Sequence, residues 1–295
     1  MKRSCLSVAL LVSALVAGCT PEGGDGGSTP SVTVSSSPIS HPTGADEVVV
    51  RVFSGGGLVP ENVRVSELPE WTLYGDGTIV YAAPPTDGTS LPAPAVPSLL
   101  ERSVPVSSID TLLAEADRRG MLQNRHLSAS DATDLWVTYV TLHAANQAFE
   151  NSVYALGFQP PDGAPPPAND QSAQIADVQS FIDFAEEPEN WAASVTEPKP
   201  YEAPAWSVYV FPYMGDLSQA LEPVDWPLDP PIPPLSSGTP LCVSVQGEKL
   251  AELAPVASAA TSDTPWRSSH GVGKDVPVSL VFVPVLPGDP SACSK

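Results

Sequence analysis

Apolar and polar positions along this 295-residue chain fall into stretches of changing period, and each change marks a predicted element. From Leu6 to Val16 the side chains are Leu, Val, Ala and Ser without a charge. A helix needs about 20 apolar residues to cross a bilayer, and this run is too short. Lys2 and Arg3 precede it, so it reads as the core of a signal peptide spanning residues 1–18, with Cys5 inside. Residues 19–45 then hold mostly Gly, Ser, Thr and Pro. With hardly an apolar side chain to bury, they predict a flexible tether.

Folded structure is expected from Glu47, where Val48, Val49, Val50 and Val52 make a β-branched run that stops at Gly55-Gly56-Gly57. No G-x-G-x-x-G and no Lys-Ser/Thr pair accompanies those glycines, so a turn or bulge is expected rather than a phosphate loop. Next, two β-rich runs flank Gly75-Asp76-Gly77 and predict a hairpin over residues 71–81. A three-residue loop with Gly77 left-handed pairs Trp71 with Tyr81. That register gathers Trp71, Leu73, Ile79 and Tyr81 on one face. Asp76 alone lacks the further oxygens that calcium requires.

The period then lengthens. Ile109, Leu112, Leu113 and Ala116 predict a helix over residues 107–119, with Ser107 as N-cap and Gly120 as its stop. Residues 135–142 and 148–156 predict a second hairpin around Ala145-Asn146. A proline-rich loop, 159–169, precedes a second helix over residues 171–185, with Ile175, Val178, Phe181, Ile182 and Ala185 on one side. Beyond Glu187 prolines dominate. Strands are expected at 205–212, 241–246 and 276–285, and a short helix at 248–254.

The fold class expected is therefore α+β: a mostly antiparallel sheet built from hairpins, with two main helices packed on one face. A main domain at 46–190 is followed at 191–295 by a proline-rich, β-containing C-terminal extension or small subdomain.

Charge adds one exclusion. Removal of Lys2 and Arg3 with the leader leaves 11 basic against 34 acidic residues, a net −23, which repels nucleic acid. Of the four cysteines, Cys242 and Cys293 are the pair left for a disulfide once Cys5 and Cys19 are set aside. Such a bridge persists outside the cytoplasm, and closing a loop of about 50 residues stabilises a fold by roughly 4 kcal/mol. It is expected to join the two outer strands of the C-terminal piece.

Candidate chemistry is sparse. His41, His126, His143 and His270 show no H-x-x-H spacing, so no metal, cofactor or catalytic residue is assigned. His126, near Asp131 and Asp134, is the best place to seek a general base, with polar loop residues as the alternative. Glu186, Glu187 and Glu189 ahead of Trp191 form either an acidic aromatic patch facing sugar or a helix end with a hydrophobic anchor.

Two resemblances follow. Val16-Ala17-Gly18-Cys19 resembles the cleavage site of bacterial lipoproteins, with Val16 where Leu is commoner. That likeness implies a diacylglycerol thioether on Cys19, a membrane anchor and an extracytoplasmic location. The order of strand, T-L-Y-G-D-G-T hairpin, helix with an I-D-x-L-L core, Ser-Asp-Ala-Thr-Asp lead, hairpin and helix looks like uncharacterised secreted domains and lipoproteins, many from high-GC Gram-positive bacteria. It spans residues 47–186 and implies no activity. The expectation is a membrane-anchored binding or scaffolding module, not an enzyme, whose partner is a cell-wall polymer or an envelope protein. An exported hydrolase and a secreted inhibitor or envelope-assembly factor are the alternatives.

Overall fold

The computed structural model describes residues 38–84, 93–159, 171–213, 215, 222–229, 232, 241–268, 276–291 and 293. The leader, Cys19, His270 and most of the loop 159–169 lie outside them. The protein is α+β, with two mostly antiparallel sheets and four α-helices among the described residues.

The first sheet has eight strands. Its centre is β1 (Val48–Gly55), followed in the chain by the single-turn helix α1 (Glu61–Arg64), β2 (Trp71–Tyr74), β3 (Thr78–Ala82) and β4 (Leu99–Ser103). Helix α2 (Ile109–Arg118) leads to β5 (Arg125–Ser128), β6 (Val137–Ala144) and β7 (Gln147–Tyr154), then to helix α3 (Ser172–Glu186) and β8 (Lys199–Pro200). The order across the sheet is β5-β7-β6-β1-β2-β3-β4-β8, antiparallel except for β5 beside β7.

Local chemistry explains the two hairpins. Trp71 pairs with Tyr81 and Leu73 with Ile79, the register that a three-residue loop requires. Gly77 takes φ +88°, and a Cβ there would meet the Val104 carbonyl oxygen at 2.2 Å, so only glycine fits. Asp76 accepts the Thr78 N–H at 2.9 Å, closing the turn on itself. The second hairpin turns through Ala145 and Asn146, both left-handed, and pairs Ala144 with Gln147. The glycine run after β1 also turns, with Gly56 and Gly57 at positive φ.

Strand β1 does not alternate simply. Val48 pairs with Tyr74 and Val50 with Leu73, so Val49 is an extra residue in a bulge and both Val49 and Val50 are buried. Past the bulge, Val50, Val52, Trp71, Leu73, Ile79 and Leu142 join one core with Ile109, Leu112, Leu113 and Ala116 of α2 and Val178, Phe181, Ile182 and Ala185 of α3. Helix α2 begins differently from expectation. Val106–Ser108 forms a 3-10 turn after Pro105, Ser108 replaces Ser107 as N-cap, and neither serine caps by its side chain. Ser108 is buried, and its hydroxyl faces the Ala193 N–H instead.

The second sheet has five strands: β9 (Ala205–Pro212), β10 (Val224–Trp226), β11 (Leu241–Gln246), β12 (Trp266–Ser268) and β13 (Val278–Pro284), in the order β10-β12-β13-β9-β11. Helix α4 (Glu248–Ser258) runs past Pro255, held by buried Leu253 and Ala257, and so is longer than proline content suggests. Its core is separate from the first and centres on Phe282, with Trp206 and Trp266 edge-on at ring distances of 5.7 and 5.5 Å.

Two boundaries and the position of one disulfide partner differ from expectation. Residues 38–45 are packed rather than tether: Ser40 accepts the Ala145 N–H at 2.7 Å, Ile39 lies against the first core, and Pro42 and Thr43 sit where a Cβ on Gly75 would be. One apolar Ile and two prolines suffice once a surface is there to receive them. The first sheet also keeps the chain beyond residue 190, since Trp191 belongs to its core and β8 pairs with β4. Finally, Cys242 on edge strand β11 is bridged to Cys293 in the tail after β13, not to another outer strand. Among the described residues no helix is long and apolar enough to cross a membrane.

Candidate functional site

Strand pairing sorts the first sheet into two faces. Residues that pair across an antiparallel ladder point the same way, so Arg51, Thr72, Val80 and Thr141 share the face opposite the helices. On that face Tyr74, Val80 and Leu99 form a small third core with Leu286 from the tail after β13. Its outer part is polar. Arg51, Thr141 and His143 line an open cleft of about 430 Å³ together with Asp46, Glu47, Gly288 and Asp289. A second open cleft of about 440 Å³ continues past Glu47 and His143 to His41 and Asn146.

Several lining groups are held in place. Arg51 Nη1 donates to Asp289 at 2.8 Å, joining β1 to the C-terminal tail. The Arg51 Nε and Nη2 atoms are buried, and the Arg51 guanidinium lies beside the buried Tyr74 hydroxyl. That burial pushes the Tyr74 phenol well above its ordinary value, with Arg51 acting the other way and Asp289 adding to the rise. Tyr201, beside them, is pushed up to about 12 by burial and then by the carboxylates of Glu101 and Asp289. Glu47 accepts the Gly44 N–H at 2.8 Å and the Thr43 N–H at 3.2 Å, which folds the entry segment over the cleft. His41 Nδ1 donates to the Pro42 carbonyl at 2.6 Å.

Chemically, the cleft offers imidazole, carboxylate, hydroxyl and guanidinium groups around open space. Such a set suits the capture of a polar ligand. Among the described residues no three His, Cys, Asp or Glu side chains lie close enough together to hold a metal.

The general base sought in the sequence has another situation. His126 lies on strand β5 rather than in a loop, and its Nδ1 is 2.8 Å from Ser152 Oγ on the parallel neighbour β7. Ser152 is only 7 % exposed, and the pair ties two strands together. The parallel pairing of β5 carries no hydrophobic period, which is why sequence missed it.

The acidic stretch at the end of α3 is a helix end with an anchor. Trp191 is 5 % exposed and donates its indole N–H to the Ala185 carbonyl at 3.2 Å, so its face is unavailable to a sugar. Arg102 donates to Glu189 at 3.2 Å and to the Glu186 carbonyl at 2.9 Å. Burial, followed by Glu70 and Asp183, holds the Glu186 carboxyl above the usual range.

The cleft residues were not singled out from sequence. His41, Glu47, Arg51, His143 and Asp289 are scattered along the chain, and only the tail's return to β1 assembles them. Set against known protein families, curated proteins and solved structures, the chain matches none of them.

Proposed function

We propose that this protein is a lipid-anchored extracytoplasmic binding module, held to the membrane through Cys19 and meeting its ligand in the cleft lined by Glu47, Arg51, His143 and Asp289. The observation that carries the reading is the pairing of Cys242 with Cys293, 51 residues apart, in a chain whose leader ends in Val16-Ala17-Gly18-Cys19. A disulfide belongs to an oxidising compartment, and the leader supplies the route to one. The partner is a cell-wall polymer or another envelope protein. The proline-rich C-terminal part serves as an extension that completes the second face of the hairpin-built sheet.

An exported hydrolase has one specific observation in its favour, the contact of His126 with Ser152. Burial of Ser152 speaks for the binder instead.

Fractionation of cells making the Cys19→Ser protein tests the anchor. The variant is expected in the soluble extracytoplasmic fraction, while the parent stays with membranes. Continued membrane association of the variant would refute the anchor, and failure of the parent to retain any envelope material would refute the binder.

A further inference from the structure

The tail that walls the cleft is attached at few points. After β13 ends at Pro284, Leu286 drops into the small core with Tyr74, Val80 and Leu99 at 4 % exposure. Gly288 follows at φ +75°, so close to the entry segment that a Cβ would stand 2.1 Å from the Asp46 carbonyl oxygen. Asp289 then reaches Arg51 at 2.8 Å, and its own N–H bonds to the Leu286 carbonyl at 3.1 Å. Ser291 Oγ lies 3.3 Å from Ser207 Oγ, and Cys293 closes the segment covalently onto β11.

Residues 285–291 therefore form a strap that lies across the second face of the first sheet, outside the ladders of either sheet beyond Val285. Leu286, the Arg51–Asp289 ion pair, the packing of Gly288 on Asp46 and the Ser291–Ser207 contact hold it, and the bridge keeps them at high effective concentration. Both cysteines are half-buried rather than enclosed.

We propose that the Cys242–Cys293 disulfide is a redox latch on the cleft. This rests on the reading of the cleft as the ligand site. Oxidised, the latch keeps Gly288 and Asp289 in place as one wall and keeps Arg51 paired. Attack by an extracytoplasmic dithiol breaks the S–S bond and leaves two thiols on the chain. The dithiol becomes a disulfide, having given up two electrons and two protons. The strap then detaches, the wall opens, and Arg51 exchanges Asp289 for solvent or for an acidic group on the ligand.

Hydrogen exchange on the full chain, with and without dithiothreitol, tests this. Reduction is expected to speed exchange of the Asp289 amide at least tenfold, while Leu112 and Leu113 in α2 and Phe282 in β13 keep their protection. A Cys293→Ser protein, which cannot form the bridge, is expected to show the fast exchange without reductant. An Asp289→Asn protein, which keeps the bridge, is expected to exchange faster than the parent and slower than the reduced chain. Unchanged Asp289 exchange on reduction overturns the latch. Simultaneous loss of protection in α2 also overturns it, because the bridge would then hold the whole fold. Retention of envelope material is measured in both redox states. Equal retention would overturn control of the cleft, and no retention in either state would overturn the binding reading while the exchange result still decides the strap.

Discussion

Replacing Phe282 by Ala removes the centre of the second core. The ring is 1 % exposed and packs edge-on against two indoles, Trp206 and Trp266. Truncating a buried Phe to Ala costs about 3–5 kcal/mol, from lost transfer energy and the cavity left behind. Each edge-on aromatic pair adds roughly 0.5–1.5 kcal/mol beyond area. Two such pairs put the expected loss in the upper half of that range, about 4–5 kcal/mol. Domains are commonly stable by about 5–15 kcal/mol, so Phe282→Ala is expected to leave the second sheet marginal. Urea unfolding followed by tryptophan fluorescence reads this directly, because Trp206, Trp226 and Trp266 lie in the second core and Trp71 and Trp191 in the first. The midpoint of the second-core signal should fall strongly. Phe282→Leu, which keeps most of the volume, should recover more than half of the loss. A loss below about 1.5 kcal/mol for Phe282→Ala would refute the placement of Phe282 at the core's centre.

Two further substitutions test local claims. Gly77→Ala is expected to destabilise by more than 2 kcal/mol, since the left-handed backbone alone costs roughly 1–2 kcal/mol and the new Cβ collides with the Val104 carbonyl. Gly157→Ala, at φ +75° in open space, should cost only the first part, so equal melting shifts for the two would disprove the collision. The third expectation concerns acid. Hydrogen bonding to Arg118, supported by Arg119, lowers the Glu115 carboxyl to about 2. A depressed carboxyl contributes stability that is complete above its unfolded value near 4.5 and is lost as pH falls toward about 2. Glu115→Gln should flatten the melting temperature across that window relative to the parent, and parallel profiles would show that the pair adds nothing.

Elements whose energetics are local were legible in the sequence. The stripe Ile109, Leu112, Leu113 and Ala116 specifies a helix because those residues share one side of it, and all four are fully buried. The loop around Gly75-Asp76-Gly77 selects a register because any slip would send Trp71 and Leu73 to the wrong face. By contrast, β5, β8, β10 and β12 are two to four residues long and acquire strand geometry only from a neighbour distant in sequence. Their patterns carry too few residues to show a period. Residues 38–45 were equally silent, since their composition is that of a tether and only the sheet surface makes them structure.

By itself the sequence determined the acidic balance, the two long helices and the two hairpins, and it left Cys242 and Cys293 as a pair. All of these depend on composition, on residues near one another, or on counting partners. The tertiary structure alone decided that the second face of the first sheet is closed by the C-terminal tail. It brought Asp289 across 238 residues to Arg51 and set Glu47 and His143 beside them. No period or spacing encodes such a contact, because the side chains meet only in the folded chain.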